Sequence, residues 1–199
     1  MSDQYFSARP ASLARESWFE ATVWGHGLRM RSAAGVFSHG RLDIGTRVLV
    51  RSTQPRPGAR TVLDLGCGTG VLATALGLAL PHADVWAVDV NERARELTAD
   101  NGQAHGLAAR LRVCAPDDVD EDVSFDEIWS NPPIRVGKPA VHAPLSRWLP
   151  RLADGGRAVL VIGRNLGPDS FQRWLREQGW NCERVASAKG FRVLEVRRR

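Results

Sequence analysis

The sequence has no apolar stretch long enough to cross a bilayer, and it has few cysteines. Its longest apolar runs, such as 158–163, fall far short of the roughly 20 residues that a transmembrane helix needs. Its three cysteines, Cys67, Cys114 and Cys182, show no CxxC or Cys/His metal spacing. We therefore expect free thiols, no structural metal and a reducing, cytoplasmic location. Residues 1–4 lack the charged and apolar regions of a signal peptide, so we do not expect one.

The composition is that of one ordinary globular domain with an excess of basic residues. Hydrophobic residues make up 43% and charged residues 25% of the 199 residues. The basic residues are mostly arginine, and the net charge is +5 with a pI near 9.8. This balance favours a polyanionic partner, RNA or DNA. The alternative is a solvated basic surface, or the arginine-rich codon usage of a GC-rich genome.

The segment 52–60 is rich in proline and glycine and separates two parts of the chain. We interpret residues 1–57 as an extension or lid packed on the same domain, and residues 58–199 as the main body. The extension carries signals for two short strands and one helix, at 18–24, 28–32 and 43–51. Most tryptophans, among them Trp18 and Trp129, are expected in the core.

The main body alternates strand and helix patterns. Strand signals fall at 61–65, 84–89, 111–114, 125–130, 157–163, 180–186 and 191–197. Helix signals fall at 70–80, 91–105, 139–152 and 168–178. Such alternation predicts an α/β fold, Rossmann-like and doubly wound, with a mostly parallel sheet of seven strands that ends in an antiparallel hairpin.

The first strand of the main body runs into the loop Asp64-Leu65-Gly66-Cys67-Gly68-Thr69-Gly70. Its glycines let the backbone approach a ligand closely, and the next helix offers free N–H groups. The pattern D-x-G-x-G-x-G differs from the dinucleotide pattern G-x-G-x-x-G, and its acid would repel a pyrophosphate. It suits a ligand with a cationic amine and hydroxyl groups, such as S-adenosylmethionine.

Acidic residues follow the next two strands. Asp89 ends the second strand of the main body, where a carboxylate can accept both hydroxyls of a ribose. Asp117 and Asp118 follow the third strand, at the place where an adenine would lie. The alternative for each is an ordinary surface carboxylate.

The fourth strand ends in Ser130-Asn131-Pro132-Pro133-Ile134. The two prolines make the backbone rigid and leave its carbonyls as acceptors, and Asn131 adds a side-chain oxygen. A planar amino group needs two such acceptors, and holding both hydrogens turns its lone pair toward an electrophile. The alternative is a plain Asn-Pro turn at the start of a loop.

These motifs together resemble the small-domain class I S-adenosylmethionine-dependent methyltransferases, in particular the catalytic half of the 16S ribosomal RNA guanine-N2 methyltransferases (RsmC-like). The resemblance covers roughly residues 5–196. Besides the glycine loop and the Asn-Pro-Pro corner, it rests on Tyr5-Phe6-Ser7, Val36-Phe37-Ser38, Leu42-Asp43-Ile44-Gly45-Thr46, Asp89-Val90-Asn91, Gly137-Lys138 and Lys189-Gly190-Phe191-Arg192-Val193.

The resemblance implies a role for each site residue. The cofactor S-adenosyl-L-methionine would be bound by Asp43, Thr46, Asp64, Gly66, Cys67, Gly68, Gly70, Asp89, Val90, Asp117 (with Asp118 as its rival) and Asn131. The target amino group would be held by Asn131, Pro132, Pro133 and Ile134. The substrate, ribosomal RNA or the small ribosomal subunit, would be contacted by Phe37, Arg135 and Lys138, although the two basic residues are equally consistent with ordinary surface charge. No metal and no membrane are implied, and we expect a monomer.

Two departures from the family keep other functions open. Many relatives carry an aromatic residue where this chain has Ile134, so another residue must cover the base, and Phe37 is the candidate. The larger relatives also carry a degenerate N-terminal domain, which we do not expect within these 199 residues. The alternatives are methylation of another amine, on a protein glutamine or a DNA adenine, and a non-catalytic protein that binds the cofactor and RNA.

Overall fold

The computed structural model describes residues 16–36, 40–132 and 137–199. The strands are β1 (Glu16–Val23), β2 (His26–Ala33), β3 (Thr61–Leu65), β4 (Asp84–Val88), β5 (Leu111–Cys114), β6 (Phe125–Ser130), β7 (Leu152–Gly163), β8 (Asn181–Ala188) and β9 (Phe191–Arg197). The helices are α1 (Ile44–Ser52), α2 (Val71–Ala79), α3 (Glu92–Ala104), α4 (Gly137–Trp148) and α5 (Pro168–Glu177). Three short 3-10 turns cover Pro116–Asp118, Leu149–Arg151 and Arg164–Leu166.

Seven strands form one mixed sheet in the order β5-β4-β3-β6-β7-β9-β8. Strands β3 to β7 run parallel, and β9 pairs antiparallel with both β7 and β8. The predicted α/β, Rossmann-like, doubly wound fold is confirmed. The chain moves outward from β3 to β5 and then returns to place β6 on the other side of β3. A ligand crevice is expected at this switch point, beyond the carboxyl ends of β3 and β6.

The largest departures from the predicted bounds fall on two neighbouring elements, α4 and β7. The pattern predicts a helix over 139–152, but α4 ends at Trp148 and the chain tightens into a 3-10 turn around Pro150. Leu152 then pairs with Phe125, so β7 begins there and not at 157. The pairing of β7 with β6 shifts register between Phe125 and Glu127, and β7 bends there. Gly155 and Gly156 allow this bend because neither has a side chain.

Both faces of the sheet are buried. Successive side chains of each strand point to opposite sides, and helices cover each side. On β7, Val159 and Val161 belong to the apolar cluster under α1 and α2, whereas Leu160 and Ile162 belong to the cluster that includes α4 and α5. Continuous apolar runs such as the one in β7 are typical of parallel strands covered on both faces.

Strands β1 and β2 form a separate antiparallel hairpin that packs on the helices. Its inward residues, among them Phe19, Leu28 and Met30, join the cluster around α2. Its outward face carries Trp18, which is 52% exposed, so the expectation of a core position is wrong for this tryptophan, while Trp129 is fully buried. Within 16–36, 40–132 and 137–199, no helix has both the length and the apolar character to traverse a bilayer.

Candidate functional site

The loop after β3 turns sharply at the carboxyl edge of the sheet. Its three glycines, Gly66, Gly68 and Gly70, have φ of 78°, 56° and 77°, a region that other residues rarely adopt. A methyl group on Gly70 would also come within 2.8 Å of Thr98 in α3. The Gly66 and Cys67 N–H groups donate to the Val88 carbonyl at 2.8 and 3.1 Å, which ties the loop to β4. Glycine therefore permits both the sharp turn of this loop and its close packing against α3.

Asp64 lies at the base of this loop and is almost fully buried. Its Oδ2 accepts a hydrogen bond of 2.9 Å from the Ala73 N–H in the first turn of α2. Its pKa is raised to about 7: burial is the main cause, the hydrogen bond from Ala73 opposes it, and the charge of Asp89 adds to it. A cationic ligand would stabilise the ionised form of this carboxyl.

Asp89 joins the glycine loop to the start of α3. Its Oδ2 accepts from the Gly68 N–H at 3.0 Å and its Oδ1 accepts from the Asn91 N–H at 2.9 Å. Burial raises its pKa, against the lowering effect of these two backbone hydrogen bonds. Val90, which follows it, is exposed. Both carboxylate oxygens are thus held in place, each with a further lone pair for a hydroxyl donor.

Asn131 follows β6 directly and is held by two residues of the α1 segment. Its Nδ2 donates to Asp43 Oδ2 at 2.8 Å and to Thr46 Oγ1 at 2.9 Å. A carboxylate only accepts, so the amide nitrogen must face Asp43 and the amide oxygen must point away. This oxygen, Oδ1, is buried and has no hydrogen-bond partner among the residues that the structure describes.

Asp43 reaches Asn131 because it caps α1. Its Oδ2 also accepts from the Thr46 N–H at 3.1 Å, which satisfies a free donor of the first turn. Gly45 lets this corner close: a methyl group there would lie 2.9 Å from Asp43 Oδ2, 2.9 Å from Phe191 Cε1 and 3.0 Å from Asn131 Oδ1. Any larger residue at position 45 would push these three groups apart.

The two loops and the start of α1 enclose one cleft at the switch point of the sheet. It is lined by Leu42, Asp43, Thr46, Asp64, Gly66, Cys67, Gly68, Thr69, Val71, Leu72 and Asn131. Asp89 holds the loop from the neighbouring strand, and Pro132 is buried beside Asn131. The described side chains form no cluster of His, Cys, Asp or Glu that could hold a metal ion.

Some predicted site residues do not join this cleft. Asp117 is exposed and pairs with Arg147 of α4 at 2.6 Å, and Asp118 accepts from the Ala115 N–H at 3.2 Å. Cys67 lines the cleft but is buried, which raises the pKa of its thiol well above its usual value, and Thr98 donates to its Sγ. Phe37, Pro133, Ile134 and Arg135 lie outside the described residues, as does the side chain of Lys138.

The structure also brings in residues to which the sequence patterns assign no role. Gly45 and Phe191 lie within motifs on which the family resemblance rests, but the sequence assigned neither residue a role. Asn101 is buried in the last turn of α3, where nothing in the sequence distinguishes it from a surface amide. Its Nδ2 donates to the Thr69 carbonyl at 2.9 Å and to the Arg31 carbonyl at 3.0 Å. It therefore fastens the glycine loop to the β1–β2 hairpin.

The sequence of this chain is similar to one protein family and to several known proteins. The model of the methyltransferase small domain family matches residues 27–195. Uncharacterized protein YbxB of Bacillus subtilis (strain 168) is 29% identical over the full length of both chains. Ribosomal RNA small subunit methyltransferase C of Chromohalobacter salexigens is 36% identical, across 96% of this chain and 57% of that protein.

Solved structures of methyltransferases are also similar to this chain. The T. thermophilus 16S rRNA N2 G1207 methyltransferase (RsmC), in complex with AdoMet and guanosine, superposes with a TM-score of 0.82 at 25% identity, over 96% of this chain and 53% of that one. The chain thus spans about half the length of these RNA methyltransferases. A ribosomal protein L11 methylase from Lactobacillus delbrueckii, 19% identical with a TM-score of 0.59 over 76% of each chain, shares the fold.

Proposed function

This chain belongs to the methyltransferase small domain family, whose methyl donor is S-adenosylmethionine, and we propose that it methylates an exocyclic amino group of RNA, most specifically guanine N2 of 16S ribosomal RNA. The observation that carries the proposal is the buried Oδ1 of Asn131, which Asp43 and Thr46 orient and which lacks a partner among the described residues. An unpaired buried acceptor is costly unless a ligand satisfies it.

The groups around the cleft fit S-adenosylmethionine chemically. Asp64 would face its cationic methionine end, where the positive charge favours the ionised carboxyl, and the backbone of Gly66, Gly68 and Gly70 would lie against it. Asp89, held by two backbone N–H groups, would accept from the ribose hydroxyls. Asp117 would need to leave Arg147 to reach an adenine, so Asp118 and the backbone beside it are equal candidates there.

The acceptor side positions a planar amine. Asn131 Oδ1 would accept one of its N–H groups, and a carbonyl of the rigid Asn-Pro-Pro corner would accept the other. With both hydrogens held, the nitrogen lone pair points out of the plane toward the donor. The bound cofactor supplies an electrophilic methyl on a sulfonium. The task of the chain is orientation, and no strong base is needed because the proton leaves after the nitrogen has gained positive charge.

The RNA substrate is favoured by the relatives and by charge. Relatives at 28–36% identity over 86–96% of this chain are named as small-subunit ribosomal RNA methyltransferases. A net charge of +5 suits a polyanion. We propose a cytoplasmic monomer, with residues 1–57 as a flank and 58–199 as the methyltransferase domain. A paired guanine would have to leave its helix to reach the cleft.

Labelled S-adenosylmethionine tests the proposal. The chain and its Asn131→Ala variant are incubated with small ribosomal subunits, naked 16S RNA and total protein, all from cells that lack this protein. We expect label in RNA, released on digestion as N2-methylguanosine, and none with the variant. Label in protein alone, or in adenine, would assign the cleft to another amine. No label in any fraction, despite cofactor binding, would favour the non-catalytic alternative.

A further inference from the structure

Phe191 opens strand β9 at the edge of the sheet that carries the cleft. It follows the Lys189-Gly190 turn, and the Arg164 N–H donates to the Gly190 carbonyl at 2.8 Å, which holds this turn beside the carboxyl end of β7. The side chain of Phe191 shares a face with Val193, on the side of the sheet that α1 covers. Phe191 therefore lies next to the acceptor corner, although it is sixty residues from Asn131 in the chain.

The ring reaches the same small volume as the free amide oxygen. The methyl group that Gly45 lacks would touch Phe191 Cε1 at 2.9 Å and Asn131 Oδ1 at 3.0 Å. Phe191 Cε1 and Asn131 Oδ1 therefore both lie close against Gly45, at the corner where Asp43 and Thr46 hold Asn131. A flat ligand held by Asn131 would meet this ring.

The flanks of the ring are not covered by neighbouring side chains of the sheet. In the two ladders, Phe191 pairs with Gly163 on β7 and with Ala188 on β8. Cross-strand partners normally pack against each other, and here both are too small to cover a ring. Phe191 is accordingly only half-buried. The described residues that line the cleft include no aromatic residue, and Phe191 lies just outside that lining, against Gly45.

We propose that Phe191 is the stacking platform for the target base, an inference that rests on the proposed RNA substrate. The two acceptors hold the base only at its amino end, and the remainder of the ring system still needs a surface to lie against. An aromatic face supplies that surface, and stacking on such a face is how single bases are generally held. Phe191 would then serve this chain where many relatives use the aromatic that Ile134 replaces.

Kinetics of RNA methylation test this role, with Phe191→Leu as the principal variant because leucine keeps apolar bulk but has no ring face. Stacking acts on the bound base before and during transfer, so we expect KM for RNA to rise about tenfold and kcat to change less than about threefold. Phe191→Tyr should restore KM to near the original value. Calorimetry should show unchanged affinity of Phe191→Leu for S-adenosylmethionine.

A matched control separates stacking from stability. Phe171→Leu removes a ring from α5 on the opposite face, where it packs against His142 and Trp174. It should lower the melting temperature without changing KM. Contact is measured directly with 4-fluorophenylalanine-labelled protein and guanosine as the probe: the fluorine resonance absent from Phe191→Leu should shift on titration.

Two results overturn the inference. If RNA is methylated but Phe191→Leu keeps the original KM, or Phe37→Leu alone raises it, then the base is covered by another residue and only this inference falls. If the unaltered chain transfers no label to RNA, the proposed function and the inference fall together.

Discussion

The two sides of the cleft are built in opposite ways. The cofactor side consists of the glycine loop, Asp64 and Asp89, which bond to backbone N–H groups of neighbouring loops and helix starts, as in the bond between Asp64 and Ala73 nine residues away. The acceptor side joins Asn131 to Asp43 and Thr46, which are 88 and 85 residues away in the chain. We therefore expect cofactor binding to depend on contacts that are close in the chain, and orientation of the amine to depend on how α1 docks.

A buried ionic network holds the chain that leads out of α1. Glu127 is fully buried, and its carboxylate accepts from Arg157 at 2.8 Å and from the Arg56 N–H at 3.1 Å. Arg157 also donates to the Gln54 carbonyl, and Trp24 Nε1 donates to the Thr53 carbonyl at 2.7 Å. Removing one partner of a buried pair typically costs about 3–5 kcal/mol. The network thus anchors the helix on which Asn131 depends.

The largest effect is expected at the acceptor side. Asn131→Ala should lower the rate of methyl transfer by at least about a hundredfold, because the amine loses its oriented acceptor. Its affinity for S-adenosylmethionine, measured by calorimetry, should stay within about twofold. Asn181→Ala, on the exposed edge strand β8, is the control and should change neither quantity. Loss of cofactor affinity in Asn131→Ala would erase the distinction between the two sides.

The next effect belongs to the cofactor side. Asp89→Ala should weaken S-adenosylmethionine binding by about tenfold to a hundredfold, since a charged acceptor for hydroxyl groups and the support of the loop are both lost. Asp126→Ala is the matched control: its Oδ2 also accepts from two backbone N–H groups, of Arg60 and Thr61, at the opposite end of β3. Both variants should lower the melting temperature. Equal loss of affinity in the two would argue for a purely structural role of Asp89.

A double-mutant cycle tests whether Asp43 acts on the rate through Asn131. Asp43→Ala frees the Asn131 amide and removes the cap of α1, so kcat should fall about tenfold and stability by about 1 kcal/mol. In the Asn131→Ala background, any residual rate should not fall further, because both changes remove the same orientation. Additive losses of rate would mean that Asp43 acts on the cofactor and not through Asn131.

The smallest effect is a pH dependence confined to the cofactor side. With a pKa of about 7, Asp64 is mostly protonated at pH 6 and ionised at pH 8 in the free chain. A cation favours the ionised form, so affinity for S-adenosylmethionine should rise up to about tenfold across this range, with release of a proton on binding at pH 6. Asp64→Asn should bind more weakly and show a flat profile. A rise that persists in Asp64→Asn would assign the titration elsewhere.

The same group also makes stability depend on pH. The folded chain holds a proton on Asp64 that the unfolded chain releases near its ordinary pKa of 3.8. The folded state therefore binds more protons between about pH 4 and 7, and the contribution of Asp64 to stability falls as pH rises through this window. Thermal unfolding of Asp64→Asn should lack this component of the slope, whereas an unchanged slope would contradict it.

Local sequence patterns were sufficient for the fold and for placing Asp64, the glycine loop and Asp89 at one edge of the sheet, although Asp117 pairs with Arg147 instead of joining the cleft. The apolar runs, the D-x-G-x-G-x-G loop and the acid after the second strand of the main body act within short stretches, where hydrophobic periodicity and glycine geometry decide the outcome. The same patterns extended α4 past Trp148, where the chain in fact forms a 3-10 turn around Pro150, and they missed the pairing of Leu152 with Phe125 that begins β7. They also placed Trp18 in the core, although it lies on the open face of the hairpin.

The acceptor side needed the tertiary structure. Asn131 and the motif around Asp43 were visible in the sequence, but not that the carboxylate of Asp43 turns the amide and leaves its oxygen free. The sequence likewise did not show that Phe191 packs against Gly45 beside Asn131. Strand and helix patterns report forces between neighbours in the chain. The direction of one amide depends on packing between segments far apart, and only the folded sheet brings those segments together.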